Sequence, residues 1–194
     1  MKILFLGPPC AKIELALKMH GHEIIRTEEK ISYRYISNEL FDFGISYRYR
    51  HIIKEDEIKF FCGRLINLPV AYLPWGKGAD PNLWSWIENT PKGVTIHQID
   101  SGCDTGDILL QKMVDINIIH ETLASSYNKL SEEIENLFVE NLELFFGSMI
   151  TPKKQVGCGT YHMKKDKDIY ADLFNKKKWD TPLSEVVSWA YDGK

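Results

Sequence analysis

Short apolar runs alternate with helix-patterned segments over the first third of the chain, and this alternation limits the possible fold more than any other feature. Strands are predicted at 2–6, 22–26, 41–46 and 64–68, with helices between them at 11–20, 33–40 and 55–62. Parallel neighbours need a crossover long enough to hold a helix, so this order predicts right-handed βαβ units in an α/β fold. Ligands of such sheets bind beyond the carboxyl ends of the strands. The loops after the first, third and fourth strands are therefore expected to face a site.

The pattern changes after Pro74. Further elements are predicted as a helix at 81–88, strands at 93–99 and 108–114, and one long amphipathic helix at 121–146. Asp80 is the expected N-cap of the first of these helices, with Pro81 at its first position. We find no internal repeat and no low-complexity linker. Residues 1–150 are therefore expected to form one catalytic domain, with 151–194 as a C-terminal extension packed on it.

Composition limits the class of protein. The 194 residues are 44% hydrophobic and 26% charged, which is typical of a soluble globular domain. The formal net charge of −3 gives no support for a nucleic-acid partner. The apolar run at 3–6 is too short for a signal-peptide core or a membrane helix. We therefore expect a cytoplasmic protein with small-molecule ligands and no membrane partner.

Two other kinds of site are disfavoured. Gly7-Pro8 follows the first strand where a phosphate-binding turn would lie, but the glycine pattern of a dinucleotide site does not follow. Cys103 could be imagined as a nucleophile, or as a zinc ligand with His97 and His120. A nucleophilic thiolate needs a base, and zinc needs three or four convergent ligands. Neither signature is visible, so no metal is expected.

The segment from Ile66 to Gln111 carries the chemistry. A predicted strand in this segment ends at an Asn and is followed by Leu-Pro and a glycine-rich loop. A second predicted strand then leads to an Asp-x-Gly-x-Asp-Thr-Gly motif. The residues that carry the pattern are Asn67, Pro74, Gly76, Gly78, Asp100, Gly102, Asp104 and Gly106. This pattern resembles folate-dependent formyltransferases. The flanking sequences GADPNLWSW, ISYRYRHII and GTYHMKKDKD are most similar to sugar N-formyltransferases, and the resemblance covers nearly the whole chain.

The resemblance implies a Rossmann-like formyltransferase fold, with a mostly parallel central sheet, helices on both faces and a short C-terminal extension. It implies transfer of formyl from 10-formyltetrahydrofolate to the amino group of a nucleotide-linked amino sugar. Asn67 suits a hydrogen-bond donor to the developing oxyanion, and Asp104 suits a proton acceptor. Each taken alone is better explained by a turn-forming role, whereas the two together in this motif favour the catalytic interpretation. Neither chemistry requires a metal or a covalent enzyme intermediate.

One position departs from the family pattern. Pro69 stands where the relatives carry the catalytic His, and Ala71 where a Ser is usual. Proline has no side-chain donor and no titratable group, and the loss of one oxyanion donor typically lowers the rate by about 10²–10³. We therefore predict impaired turnover, with a catalytically inactive ligand-binding homologue as the alternative. His51 and His97 are the candidates to compensate, although neither looks like a purpose-made replacement.

Ligand contacts are expected in two groups. The resemblance assigns folate binding to Tyr49, Arg50, His51, Ile52, Asp100, Gly102 and Cys103, and acceptor binding to Tyr72, Trp75, Lys77 and Asp80. Ordinary loop packing, or a solvated side chain at Lys77, explains individual members equally well. Two other amine acceptors stay open, methionyl-tRNA and a purine-pathway amine. Methionyl-tRNA is disfavoured because enzymes that formylate it normally carry a further C-terminal domain. The aromatic tail suggests a homodimer, although packing within the chain explains it too.

Overall fold

The computed structural model describes residues 1–147, 149–170 and 177–192. Its strands are β1 Lys2–Leu6, β2 Glu23–Thr27, β3 Phe43–Ser46, β4 Leu65–Asn67, β5 Lys77–Gly78, β6 Gly93–Gln98, β7 Ile108–Met113 and β8 Tyr161–His162. Its α-helices are α1 Ala11–Met19, α2 Tyr33–Glu39, α3 Glu55–Phe61, α4 Pro81–Ile87, α5 Leu123–Glu140, α6 Leu142–Phe146 and α7 Leu183–Asp192, with 3₁₀ turns at Lys164–Tyr170 and Lys178–Asp180. None of the helices in these described ranges is long and apolar enough to cross a bilayer.

Six strands form the main sheet, in the order β2-β1-β3-β4-β6-β7. The first four lie parallel to one another, as the alternating sequence predicts. β6 runs antiparallel to β4 and pairs Asn67 with His97. The α/β class and the mostly parallel sheet are confirmed.

Two compact units are present, and each is described by itself. The first contains Met1–Pro69, Ile96–Leu110 and Ile134–Gln155. Its core is a cluster of buried aliphatic and aromatic side chains from β1, β4, α2, α3 and the segments on either side of α2: Leu4, Leu6, Ile31, Ile36, Phe41, Phe61 and Leu65. Ser32 caps α2 by accepting a hydrogen bond from the Tyr35 amide. The cluster packs α2 and α3 against β1 and the start of β4.

The second unit contains Val70–Thr95, Gln111–Glu133 and Val156–Lys194. Buried Asn82 in α4 organises it, because its Nδ2 donates to the Leu123 carbonyl at 3.0 Å and to Ser126 Oγ at 2.9 Å. Its Oδ1 accepts from the Trp86 indole at 3.2 Å. β5 and β8 pair as a small parallel ribbon. The predicted division of the chain at residue 150 stays a prediction.

One local prediction is wrong, and a second is confirmed only in part. The long helix predicted at 121–146 is interrupted at Asn141, whose side-chain amide donates to the Leu137 carbonyl at 2.9 Å. Such a side-chain bond competes with the continuing helix ladder. Asp80 does occupy the N-cap position of α4, but its side chain makes no capping hydrogen bond and its φ is a left-handed 53°. Its carboxylate instead lies 2.9 Å from Lys167 Nζ, while Pro81 does occupy the first helical turn.

Candidate active site

Asn67 is the last residue of β4, and its neighbour across the ladder is His97 of β6. Residues opposite each other in an antiparallel pair project on the same face of the sheet. The side-chain nitrogen of Asn67 accordingly lies 3.4 Å from His97 Nε2. The register of the two strands thus brings an amide and an imidazole together at one edge of the parallel set.

Asp104 completes this cluster. Asn67 Nδ2 donates to Asp104 Oδ1 at 3.1 Å, and the same carboxylate oxygen lies 3.4 Å from His97 Nε2. His97 is only 2% exposed, whereas Asn67 and Asp104 are half-buried. We call Asn67, His97 and Asp104 the polar triad. The structure therefore brings together the two residues predicted to be catalytic, and adds the third.

The protonation pattern of the triad follows from its partners. His97 Nδ1 lies 2.7 Å from the Gln98 carbonyl oxygen, and a carbonyl only accepts, so Nδ1 carries the hydrogen. In neutral His97 the lone pair is then on Nε2, which faces both Asn67 and Asp104. Because a carboxylate also accepts, the Asn67 amide nitrogen has two acceptors within reach. The triad therefore contains one amide donor, one carboxylate and one imidazole whose Nε2 is an acceptor in the neutral ring.

The Asp-rich loop is held tightly, and this fixes the Asp104 carboxylate. Asp100 Oδ1 accepts from the Gly102 amide at 3.1 Å and from Thr105 Oγ at 2.7 Å. A Cβ on Gly102 would lie 2.0 Å from Thr105 Oγ, so the tight turn has no room for a side chain there. Gln155 Nε2 donates to the Asp104 carbonyl at 2.8 Å. Asp104 itself has a left-handed φ of 55°, a conformation that Asp tolerates better than most residues.

Sequence reasoning did not place His97 beside Asn67 and Asp104. All of β6 from Gly93 to His97 is buried, so no alternation of polar and apolar residues shows which way His97 points. The usable signal was indirect: His97 lies seven residues before Asp104 in the strand that leads to its loop. The catalytic roles of Asn67 and Asp104 stay predictions.

The folate residues predicted after β3 occupy an exposed loop. Tyr49 is fixed there, because its hydroxyl donates to the Glu29 carbonyl at 2.7 Å and accepts from the Ile31 amide at 3.2 Å. Burial raises the pKa of the Tyr49 phenol. His51 packs edge-on against the Tyr49 ring at 5.3 Å, Arg50 is exposed, and Ile52 is 86% exposed. The loop thus presents an apolar and a cationic side chain beside an anchored aromatic ring.

The residues predicted after β6 are also exposed. Asp100, Gly102 and Cys103 all lie in the Asp-rich loop. Cys103 Sγ lies 3.8 Å from Asp104 Oδ2. Asp100 is engaged in its own turn, so its contribution to a ligand site is expected through the shape of the loop rather than through a free carboxylate. The assignment of all seven residues to folate binding stays a prediction.

The predicted acceptor residues belong to the second unit. Tyr72 and Trp75 line one recess together with Ser85, Lys92 and Leu130. Burial lowers the pKa of the Lys92 ammonium group there.

The other two predicted acceptor residues are already bound within this unit. Lys77 Nζ donates to the Cys158 carbonyl at 3.1 Å, and Asp80 is paired with Lys167. The structure therefore brings Tyr72 and Trp75 together, while Lys77 and Asp80 would have to exchange partners to bind a ligand.

Comparison with known proteins gives one family. The family model described as formyl transferase matches residues 26–142. A methionyl-tRNA formyltransferase from Thermodesulfovibrio yellowstonii is 36% identical over 128 residues, which cover 64% of this chain and 41% of that protein. One from Sulfurimonas denitrificans is 31% identical over 189 residues, or 91% of this chain and 60% of that protein. The matches therefore span only about half the length of these curated relatives.

Solved structures give a fuller match. The formyltransferase PseJ from Anoxybacillus kamchatkensis, in complex with UDP-4,6-dideoxy-4-formamido-L-AltNAc and tetrahydrofolate, has a TM-score of 0.92 and 42% identity. That alignment covers 98% of this chain and 100% of PseJ. A sugar N-formyltransferase from a Shewanella species has a TM-score of 0.76 at 18% identity, covering 96% of this chain and 87% of its own. The second likeness concerns the fold alone.

Proposed function

The chain belongs to the formyl transferase family, and from this premise we propose that it transfers formyl from 10-formyltetrahydrofolate to the amino group of a nucleotide-linked amino sugar. The observation that carries the proposal is the likeness to PseJ, which extends over 98% of this chain at 42% identity. PseJ was solved with a UDP-linked formamido sugar and tetrahydrofolate. A 4-amino-4,6-dideoxyhexose linked to a nucleoside diphosphate is accordingly the proposed acceptor class.

The reaction has two electrostatic demands. A neutral amine nitrogen attacks the formyl carbon, and negative charge develops on the formyl oxygen. Asn67 is the proposed donor to that oxygen, since a preorganised amide N–H stabilises an oxyanion in a site that excludes water. The attacking nitrogen becomes cationic and must lose a proton. Asp104 is the proposed acceptor or orienting charge for that nitrogen.

The products balance without any further reagent. The new C–N bond forms as the bond from the formyl carbon to folate N10 breaks. The proton lost by the amine is matched by the proton that N10 gains as tetrahydrofolate leaves. The contact between Asn67 Nδ2 and Asp104 Oδ1 supports the roles proposed for these two residues. An oxyanion donor and a proton acceptor can act at the same formyl carbon only if they lie close together.

Binding roles are proposed for the remaining residues. Folate is assigned to the loop of Tyr49, Arg50, His51 and Ile52 and to Asp100, Gly102 and Cys103; the acceptor is assigned to Tyr72, Trp75, Lys77 and Asp80. Apolar side chains around a few convergent polar groups are the usual lining of a small-molecule site. A cytoplasmic location and a homodimer also stay proposals.

Methionyl-tRNA is the second candidate acceptor, because the curated relatives are methionyl-tRNA formyltransferases. The matched segments cover 41% and 60% of those two proteins, whereas the PseJ match covers all of that chain. The extent of the alignment thus favours the sugar. Lowered turnover caused by Pro69, or an inactive homologue, is the competing proposal, and it expects Pro69→His to raise kcat by about 10²–10³.

A panel of acceptors tests the proposal. The chain is supplied with 10-formyltetrahydrofolate and, separately, with UDP- and dTDP-linked 4-amino-4,6-dideoxyhexoses or with methionyl-tRNA. The proposal expects formamide product from at least one sugar, with kcat/KM at least about 100-fold above that for methionyl-tRNA, a discrimination of roughly 2.7 kcal/mol. A preference for methionyl-tRNA, or no product from any sugar, would refute it.

A further inference from the structure

We infer that His97, on the neighbouring antiparallel strand β6, takes over the function of the imidazole that is absent at Pro69. His97 acts through Asp104, by holding the proton that leaves the amine. The inference rests on the proposed function and assigns a role to one residue within it. His97 is buried behind Asp104, so it is a positioning residue and not one that touches the substrate.

Three geometric observations carry the inference. The Gln98 carbonyl holds the hydrogen on Nδ1 at 2.7 Å, which leaves Nε2 as the basic nitrogen. Nε2 lies 3.4 Å from Asp104 Oδ1. It also lies 3.4 Å from Asn67 Nδ2. The basic atom of this imidazole is therefore directed at both residues that face the reaction, although both contacts are long for hydrogen bonds.

Proton uptake by His97 changes the hydrogen bonding of the triad. While Nε2 is unprotonated, the Asn67 amide nitrogen has two acceptors, Asp104 Oδ1 and His97 Nε2. Once Nε2 carries a proton it can no longer accept from Asn67, and it donates to Asp104 instead. An Asn67 N–H is then released toward the formyl oxygen. Loss of the proton from the amine and stabilisation of the oxyanion are in this way linked through one imidazole.

The proton path balances. The amine proton passes to Asp104, and Asp104 passes it to Nε2, so that an imidazolium beside a carboxylate is the state that accompanies the tetrahedral intermediate. The stored proton returns by the same route and is delivered to N10 as the bond from the formyl carbon to N10 breaks. No oxidant, metal or additional reactant enters the sequence.

The first test replaces the imidazole by a side chain that keeps a polar group but takes up no proton. His97→Gln is expected to lower kcat by at least about 10², within the range of general acid–base catalysis, with KM for both substrates within about threefold. His20→Gln, an exposed histidine at the end of α1, is the matched control and should keep full activity. A kcat for His97→Gln within about threefold of the unmodified chain would overturn the inference.

Pro69 provides the discriminating second variant. If His97 carries the imidazole function, Pro69→His should raise kcat by at least about tenfold in the His97→Gln background, and by less than about threefold in the unmodified chain, as expected for groups that share one function. A structural role for His97 would give no such rescue. A 100-fold gain from Pro69→His alone would also overturn the inference, because it would mean that the natural site lacks an imidazole.

A measurement that needs no activity separates this inference from the proposed function. In ¹⁵N-histidine NMR of the unmodified chain, neutral His97 should be protonated on Nδ1 and bare on Nε2. Its Nε2 resonance should move when Asp104→Asn is introduced. A hydrogen found on Nε2 in the neutral ring, or an unmoved resonance, would overturn the inference. Absence of formyl transfer to every acceptor would instead overturn the proposed function.

Discussion

Replacing Asn67 by Asp in the His97→Gln background should make stability depend on pH, because it places a second carboxylate beside Asp104 while no imidazole is left to take up the proton. The two side chains are nearly isosteric, and the Asn67 nitrogen lies 3.1 Å from Asp104 Oδ1. Two full charges at that separation repel by about 5 kcal/mol at an effective dielectric constant of 20, which is an upper bound for the variant. The folded variant avoids this cost by sharing one proton between the two carboxyls, as paired carboxylates do.

The sign of the effect follows from proton binding. In the unfolded chain both carboxyls are ionised above about pH 5, whereas the folded variant keeps one proton. Since the folded state binds more protons, the free energy of unfolding falls as pH rises, by up to about 1.4 kcal/mol per pH unit. Relative to the His97→Gln parent, the variant that also carries Asn67→Asp should thus lose about 2–3 kcal/mol between about pH 5 and 7.

Urea unfolding at the two pH values, followed by tryptophan fluorescence, measures this difference. Asn67→Ala in the same background is the control, because it removes the hydrogen bond without adding a charge, and its destabilisation should be equal at both pH values. A pH-independent loss for Asn67→Asp would refute the reasoning, since it would mean that the two side chains do not share one environment.

Three further predictions concern the surroundings of the site. Gly102→Ala introduces a Cβ 2.0 Å from Thr105 Oγ. It should lower the free energy of unfolding by about 1–3 kcal/mol, measured by urea unfolding. It should also weaken the binding of tetrahydrofolate, measured by a fluorescence titration. Asn82→Ala leaves the buried Trp86 indole without its acceptor and should lower the free energy of unfolding by about 2–4 kcal/mol, with little extra loss on adding Trp86→Phe. Trp75→Ala, at a side chain that is 36% exposed, should raise KM for the nucleotide sugar at least about threefold with kcat unchanged, whereas an unchanged KM would remove Trp75 from the acceptor site.

The parallel half of the fold could be predicted because its sequence signals are local. Apolar runs ended by glycine, proline or polar residues gave β1 to β4 within one or two residues of their observed bounds. The rule that ligand-binding loops gather at the carboxyl ends of parallel strands predicted the position of Asn67. It does not apply to Asp104, because β6 runs antiparallel to β4. The meeting of Asp104 with Asn67 was predicted from the resemblance to the formyltransferase motif.

The remaining features depended on contacts that a single sequence does not display. The break at Asn141 comes from one side-chain hydrogen bond to Leu137, within a stretch whose apolar spacing continues. The direction of His97 is set by the pairing of β6 with β4, and a fully buried strand has no alternation that shows it. The partner of Asp80 is Lys167, far along the chain. In each case the missing information was a tertiary contact.

The central claim is that Asn67 and Asp104 serve one reacting carbon, and a double-mutant cycle on formyl transfer tests it most directly. The rate of tetrahydrofolate release is measured at saturating 10-formyltetrahydrofolate and nucleotide-linked amino sugar for Asn67→Ala, Asp104→Ala and the double variant. Groups that act as a unit are strongly non-additive, so each single variant should lose at least about 10² in kcat and the double variant little more than the worse single one. If the two losses multiply, or if either single variant keeps nearly full activity, the claim is contradicted.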